Sequence, residues 1–224
     1  MIEKTKIALS SKELELVCNK EWILTKQIII EKVYQLFGAL ASSMEKEVIK
    51  CQDLLPAEFT DQRPKISRGE NYKNLPYVML DYPRYFTKES TLAIRTFFWW
   101  GNFFSINLHL SGTCKEKAIP SLEANFKELQ RKDYSLCIGE GPWHHHFGEE
   151  NYMPLNCYSS MEFAAMLNSK PFIKIAKKIS LLHWDAVPDF IDNHFSEMIK
   201  ILRANSPGDE INLSPGIPIT GFDL

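Results

Sequence analysis

Along the chain, apolar and polar positions fall into blocks of different period. Ser10-Ser11-Lys12-Glu13 has the form of a capping box, in which the serine accepts from the amide three residues on and the glutamate reaches back, so a helix is predicted to start there. From Asn19 to Ile49 the apolar residues Trp22, Ile29, Val33, Leu36, Phe37, Leu40, Met44 and Val48 recur three or four apart, which paints one stripe on a long helix or a helix pair. Pro56, Pro64 and Gly69 punctuate the polar stretch that follows, and its Arg63, Lys65, Arg68 and Lys73 read as a solvated loop. Three runs, Tyr77 to Tyr82, Leu92 to Trp100 and Phe103 to Leu110, are then rich in aromatic and β-branched residues and read as strands.

Only Gly101-Asn102 separates the last two runs, the signature of a two-residue β-hairpin. Such a turn pairs Trp100 with Phe103, Phe98 with Ser105, Thr96 with Asn107 and Ile94 with His109, all on one face. The opposite face then holds Ala93, Arg95, Phe97, Trp99, Phe104, Ile106, Leu108 and Leu110, apolar apart from Arg95. A guanidinium in that position needs an anion, and Asp81 on the neighbouring strand is a fitting partner. The first face is aromatic near the turn and polar further along, suited to half solvation or to lining a pocket. Arg84, in the expected loop Asp81 to Phe86, is a second cation placed to stack on Tyr82 or Tyr85.

Pro120 is expected to open a helix that carries Leu122, Phe126 and Leu129 inward and ends near Arg131-Lys132. Tyr134 to Ile138 reads as a short strand, Gly139 to Pro142 as a turn, and Ser160 to Asn168 as a short helix. The alternation of Phe172 to Leu182, with its lysines, suggests an edge strand. Asp185 is expected to cap a last helix with Val187, Phe190, Ile191, Phe195, Met198 and Leu202 on its buried stripe. The Pro- and Gly-rich tail 205–224 should be irregular and docked on the body. The reading is a single α+β domain over 1–204, with N-terminal helices, a central antiparallel sheet and helices packed on one face.

Composition narrows the function classes. Of 224 residues 45% are hydrophobic and 24% charged, enough apolar surface for one folded domain. Twenty-six Lys and Arg against 28 Asp and Glu give a net charge of −2, without the basic excess of a nucleic-acid or polybasic membrane binder. No apolar run approaches the ~18 to 20 residues of a membrane-spanning helix, and the N-terminus lacks a signal-peptide pattern, so a cytoplasmic location is expected. Five cysteines with no C-x-x-C fit reduced structural thiols. There is no G-x-S-x-G, P-loop or G-x-G-x-x-G. A stacking platform for single-stranded nucleic acid on Trp100, Phe98 and Phe103 would lack surrounding lysines.

Six histidines remain, three of them consecutive in Trp143-His144-His145-His146-Phe147. On an extended segment His144 and His146 point to one side and His145 to the other, and Glu150 adds a carboxylate, so zinc or another transition metal is one candidate ligand. His144-x-His146-x-x-x-Glu150 is similar to the first metal motif of cupins over these seven residues; Cys157 stands where that motif continues with glycine, and no second His motif follows. His194, on the stripe of the last helix, reads as a core histidine, and His183 has no spacing that singles it out. Gly69 to Tyr77, Trp99 to Phe104 and His109 to Gly112 together resemble a set of conserved bacterial proteins, a resemblance that implies no activity. The functional expectation is a non-catalytic protein that binds a small molecule or protein partner without a cofactor. Its candidate ligand residues are Arg95, Thr96, Phe98, Trp100, Asn107, His109 and Trp143. The alternative is a metal-dependent enzyme on His144, His146 and Glu150.

Overall fold

In the computed structural model, which describes residues 8–52, 55 and 62–203, the capping box closes as the sequence requires. Ser10 Oγ accepts from the Glu13 amide at 3.3 Å while the Glu13 carboxylate takes the Ser10 N–H at 2.7 Å, opening α1 (Ser11–Cys18). The Asn19 side chain caps α2 (Lys20–Lys50) on the Trp22 N–H. Val33, Phe37, Leu40, Met44 and Val48 form the buried face of α2, at the spacing that puts them on one stripe. The stripe ends before the helix does. Trp22 is 43% exposed and meets Trp100 edge-on at 6.5 Å, and α1 buries no residue at all.

Seven strands make one antiparallel sheet: β1 (Lys65–Tyr72), β2 (Leu75–Phe86), β3 (Thr91–Trp99), β4 (Phe103–Ser111), β5 (Ser135–Cys137), β6 (Tyr152–Pro154) and β7 (Phe172–Ser180), in the order β1-β2-β3-β4-β7-β5-β6. Helix α2, α3 (Gly112–Ala124) and α6 (Val187–Arg203) lie against β2, β3 and β4 on one face, with the shorter α4 (Phe126–Arg131) and α5 (Ser160–Ser169) beside α3. This is the expected α+β arrangement, one domain with a helical layer on an antiparallel sheet. The expected tail 205–224 lies outside the described residues.

Several elements correct the sequence reading. The basic stretch at 65–73 is mostly strand, because β1 is an edge whose polar side chains are tolerated in solvent while its backbone pairs with β2. β2 continues to Phe86 across a register shift between Asp81 and Arg84, so Arg84 sits in a strand opposite Ala93 and its Nε donates to Arg63 O. α3 starts at Gly112 rather than Pro120; Gly112 turns the chain out of β4 at φ +54°, where a Cβ would strike Glu89 O. β7 is not an edge, being paired with β4 along its length and with β5 at Leu136 and Ser135. Asp185 falls within a 3₁₀ segment, Leu181–Ala186, ahead of α6. His194 is a buried histidine as expected, its Nδ1 2.7 Å from the Tyr134 hydroxyl and 3.0 Å from Glu197.

The hairpin differs from the two-residue reading by one position, and the consequence is large. Asn102 N–H donates to Trp99 O at 3.0 Å, with Gly101 at φ +71° in the third turn position, where a side chain would be strained. Trp100, Gly101 and Asn102 therefore form a three-residue loop, and Trp99 pairs with Phe103. Side chains alternate with period 2, so the shift regroups both strands. Leu92, Ile94, Thr96 and Phe98 join Phe104, Ile106, Leu108 and Leu110 on the face toward the helices. Ala93, Arg95, Phe97 and Trp99 join Phe103, Ser105, Asn107 and His109 on the other, and Arg95 pairs with Asn107 rather than Leu108. Thr96 thus enters the core, and its hydroxyl has no partner among the described residues. Thr96→Val keeps the shape and removes that orphan, so it should stabilise the protein by about 1 kcal/mol, read as a higher urea midpoint at unchanged slope.

Candidate functional site

The second sheet face, made of the odd-numbered residues of β3 and β4, is covered by the segment 138–151, whose Gly139, Gly141, Pro142 and Gly148 preclude a regular helix. Tyr72, at the end of β1, fastens this segment. Its hydroxyl accepts the His145 and His146 N–H groups at 2.6 and 3.1 Å and lies 2.8 Å from His146 Nδ1. Its single proton is then free to go to His146 Nδ1, which leaves the ring proton on Nε2, donated to Glu150 Oε1 at 2.7 Å. Asn151 Nδ2 closes the segment on His146 O at 2.6 Å.

Beneath the segment lies a buried polar cluster. The Arg95 guanidinium meets Asp81 in a two-pronged pair, Nε to Oδ1 at 2.6 Å and Nη2 to Oδ2 at 2.9 Å, the partner that the sequence pointed to. Arg95 Nη1 lies 3.2 Å from His145 Nε2, while His145 Nδ1 lies 3.1 Å from Lys174 Nζ. Arginine can only donate, so Nε2 accepts, Nδ1 carries the proton, and the Lys174 nitrogen must accept it. A neutral amine does this: its lone pair faces His145, and its two hydrogens go to Pro142 O at 3.0 Å and His144 O at 2.6 Å. Lys174 is 1% exposed, and burial, reinforced by Arg95 and opposed by Cys137, pushes its pKa down to about 7. Burial also holds His145 well below the usual imidazole range and pushes His109 down to about 3, and the positive charges of Lys174, once it is protonated at lower pH, and of Arg95 act in the same direction.

Lys174 makes a pH dependence that can be measured. The unfolded chain holds this proton up to its ordinary value of 10.5, and the native chain releases it near 7. Between those values the unfolded state binds more protons, so this group makes stability rise with pH from about 7 to 10.5 and adds no slope below 7. The slope is at most about 1.4 kcal/mol per pH unit. Lys174→Met should flatten it in urea midpoints taken across that window; identical slopes in the two proteins would show a charged amine.

Between β1, β2, β3 and the covering segment is a cavity of 290 Å³, lined by Arg95 and His145 and by the apolar or aromatic Tyr72, Tyr77, Met79, Phe97 and Trp143. The Trp143 ring is centred 5.8 Å from the guanidinium carbon of Arg95 and is 55% exposed. On the outer side of the segment a wider cleft of 540 Å³ is lined by His144, His146, Glu150 and Lys73 among others.

The chain matches no protein-family model, no curated protein and no solved structure.

Of the expected ligand residues, Arg95 and Trp143 line the inner cavity. His109 touches Trp143 edge-on at 5.6 Å, and Asn107 lies beside Arg95, donating Nδ2 to its carbonyl while Oδ1 has no partner among the described residues. Thr96 and Phe98 are on the opposite face and Trp100 is in the turn, so these three do not belong to the site. Phe98 and Phe103 are buried on opposite faces and cannot make one stacking platform. His144, His146 and Glu150 do come near one another, with the two rings 5.8 Å apart, but both nitrogens of His146 are engaged by Tyr72 and Glu150. Among the described residues no group of three or more His, Cys, Asp or Glu is disposed to hold a metal ion. Sequence reading missed Tyr72, Tyr77, Met79, Phe97, His145 and Lys174. The one local signal was Lys174 itself, a lysine between Ile173 and Ile175 in an apolar strand.

Proposed function

We propose that this chain is a non-catalytic protein that binds a small molecule in the 290 Å³ cavity between the sheet and the covering segment. One observation carries the reading: a buried guanidinium opens onto an aromatic-walled cavity beneath an exposed tryptophan. Ligand sites combine apolar walls with a few fixed polar groups in this way. Arg95 is held at a set angle by Asp81, and Trp143 is the wall able to move because more than half of it faces solvent. The base that faces the cavity, His145, has both ring nitrogens engaged, which favours binding over proton transfer. The exposed Cys18 and Cys157, neither in a disulfide, suit the reducing cytoplasm.

The test is a screen of small aromatic compounds by thermal shift on the full chain, repeated on Trp143→Ala. A true ligand raises the melting temperature of the wild type by mass action and loses most of that effect in the variant. Hits that shift both proteins equally would place the binding elsewhere and refute the proposal.

A further inference from the structure

The charge balance of the cavity selects a class of ligand, an inference that rests on reading the cavity as a binding site. Arg95 has five N–H groups, and three are used, two on Asp81 and one on His145. The remaining two find no partner among the described residues. Its charge, however, is already cancelled: Asp81 holds both of its oxygens against the guanidinium, and the two side chains are only 10% and 9% exposed. His145 accepts from Arg95, so it carries one proton and no charge. The other lining residues, Tyr72, Tyr77, Met79, Phe97 and Trp143, carry no charge at neutral pH.

A carboxylate entering this cavity would compete with Asp81 for one guanidinium and leave a net negative charge beside a largely buried ion pair. A cation would face Arg95 directly. A neutral carbonyl oxygen accepts hydrogen bonds without either cost, because an oxygen has two lone pairs and Arg95 has N–H groups to spare. The walls set the shape. Phe97, with no exposed surface, lies under Tyr77 at 5.4 Å, Tyr72 at 5.6 Å and His145 at 4.8 Å, so the half-buried Tyr72, Tyr77 and Met79 and the exposed Trp143 supply the open wall. At 290 Å³ the space is at the lower end of small-molecule sites and suits one ring or two fused rings.

We propose that the cavity binds an uncharged planar ring bearing a carbonyl acceptor, such as an aromatic amide or a ring lactam, with its oxygen on Arg95 and its ring against Tyr77 and Trp143. The test is saturation-transfer NMR and titration on the full chain with four probes, benzamide, benzoate, benzamidinium and toluene, and with the bicyclic lactam 2-quinolone. Benzamide and 2-quinolone should bind, each about tenfold or more tighter than benzoate or benzamidinium. Benzamide should also bind more tightly than toluene, which offers no acceptor to Arg95, and exchanging the ion pair for apolar residues of similar size, Arg95→Met with Asp81→Leu, should remove that second preference while toluene still binds. Trp143→Ala, at an exposed position, should weaken every probe and serves as the check should the double variant fold poorly. Benzoate binding as well as or better than benzamide would overturn the neutral-acceptor assignment and leave the cavity as a ligand site. Benzamide binding untouched by Trp143→Ala would overturn it as well. If none of the five compounds binds, the reading of the cavity as a ligand site fails and this assignment falls with it.

Discussion

Asp81→Ala is expected to destabilise the protein by about 3 to 5 kcal/mol, because it leaves the Arg95 guanidinium buried without its counter-charge. The pair is short, two-pronged and almost wholly desolvated, and the remaining neighbours of Arg95, His145 and Trp143, supply no negative charge. The partner variant separates the charge from the packing: Arg95→Met with Asp81→Leu should recover most of the loss, since a well-packed apolar pair replaces a buried ion pair at little net cost. Urea melts of the two single variants and the double make a cycle whose coupling energy is expected to be large. A single-variant loss below about 1 kcal/mol would mean that solvent reaches the pair, which would also weaken the charge argument for the cavity.

Phe104→Ala should cost a similar amount, about 3 to 5 kcal/mol, and Phe103→Ala clearly less. Phe104 has no exposed surface and packs against Phe98 at 4.9 Å, Trp184 at 5.2 Å and Phe37 at 6.2 Å, so its loss opens a hole between sheet and helices. Phe103 is on the other face, near the hairpin, against Trp99 and Phe147 and under the Lys178 ammonium, groups with more freedom to close over a gap. Equal losses would show that the second face is packed as tightly as the first, with no room for a ligand.

What the sequence made legible was local. The capping box at Ser10 and Glu13, the inner part of the α2 stripe and the existence of the hairpin all follow from spacing within a few residues, and the Asp81–Arg95 pair from the cost of a bare buried charge. The hairpin register did not follow, because Gly101-Asn102 suits two loop lengths and only the backbone shows Gly101 in the third position of a turn that begins at Trp99. That one residue moved Arg95 to the side of Asn107 and His109 and sent Thr96 and Phe98 away from it. Lys174 was read as a solvated edge residue because lysine is nearly always charged and wet. Its burial depends on carbonyls of Pro142 and His144 some thirty positions earlier, a relation that no periodicity in β7 encodes.

The absence of any buried side chain in α1 sets how the backbone opens. Its amides are held by intrahelical bonds, the Ser10 cap and nothing from the core, so they exchange with solvent hydrogen through fraying alone, on a timescale separate from the sheet. The amides shared by β3 and β4, between neighbours on both sides and with covers on both faces, exchange only when the whole sheet comes apart. Native-state hydrogen exchange would therefore resolve two ends of one free-energy scale within a single domain, with the covering segment 138–151 reporting from between them.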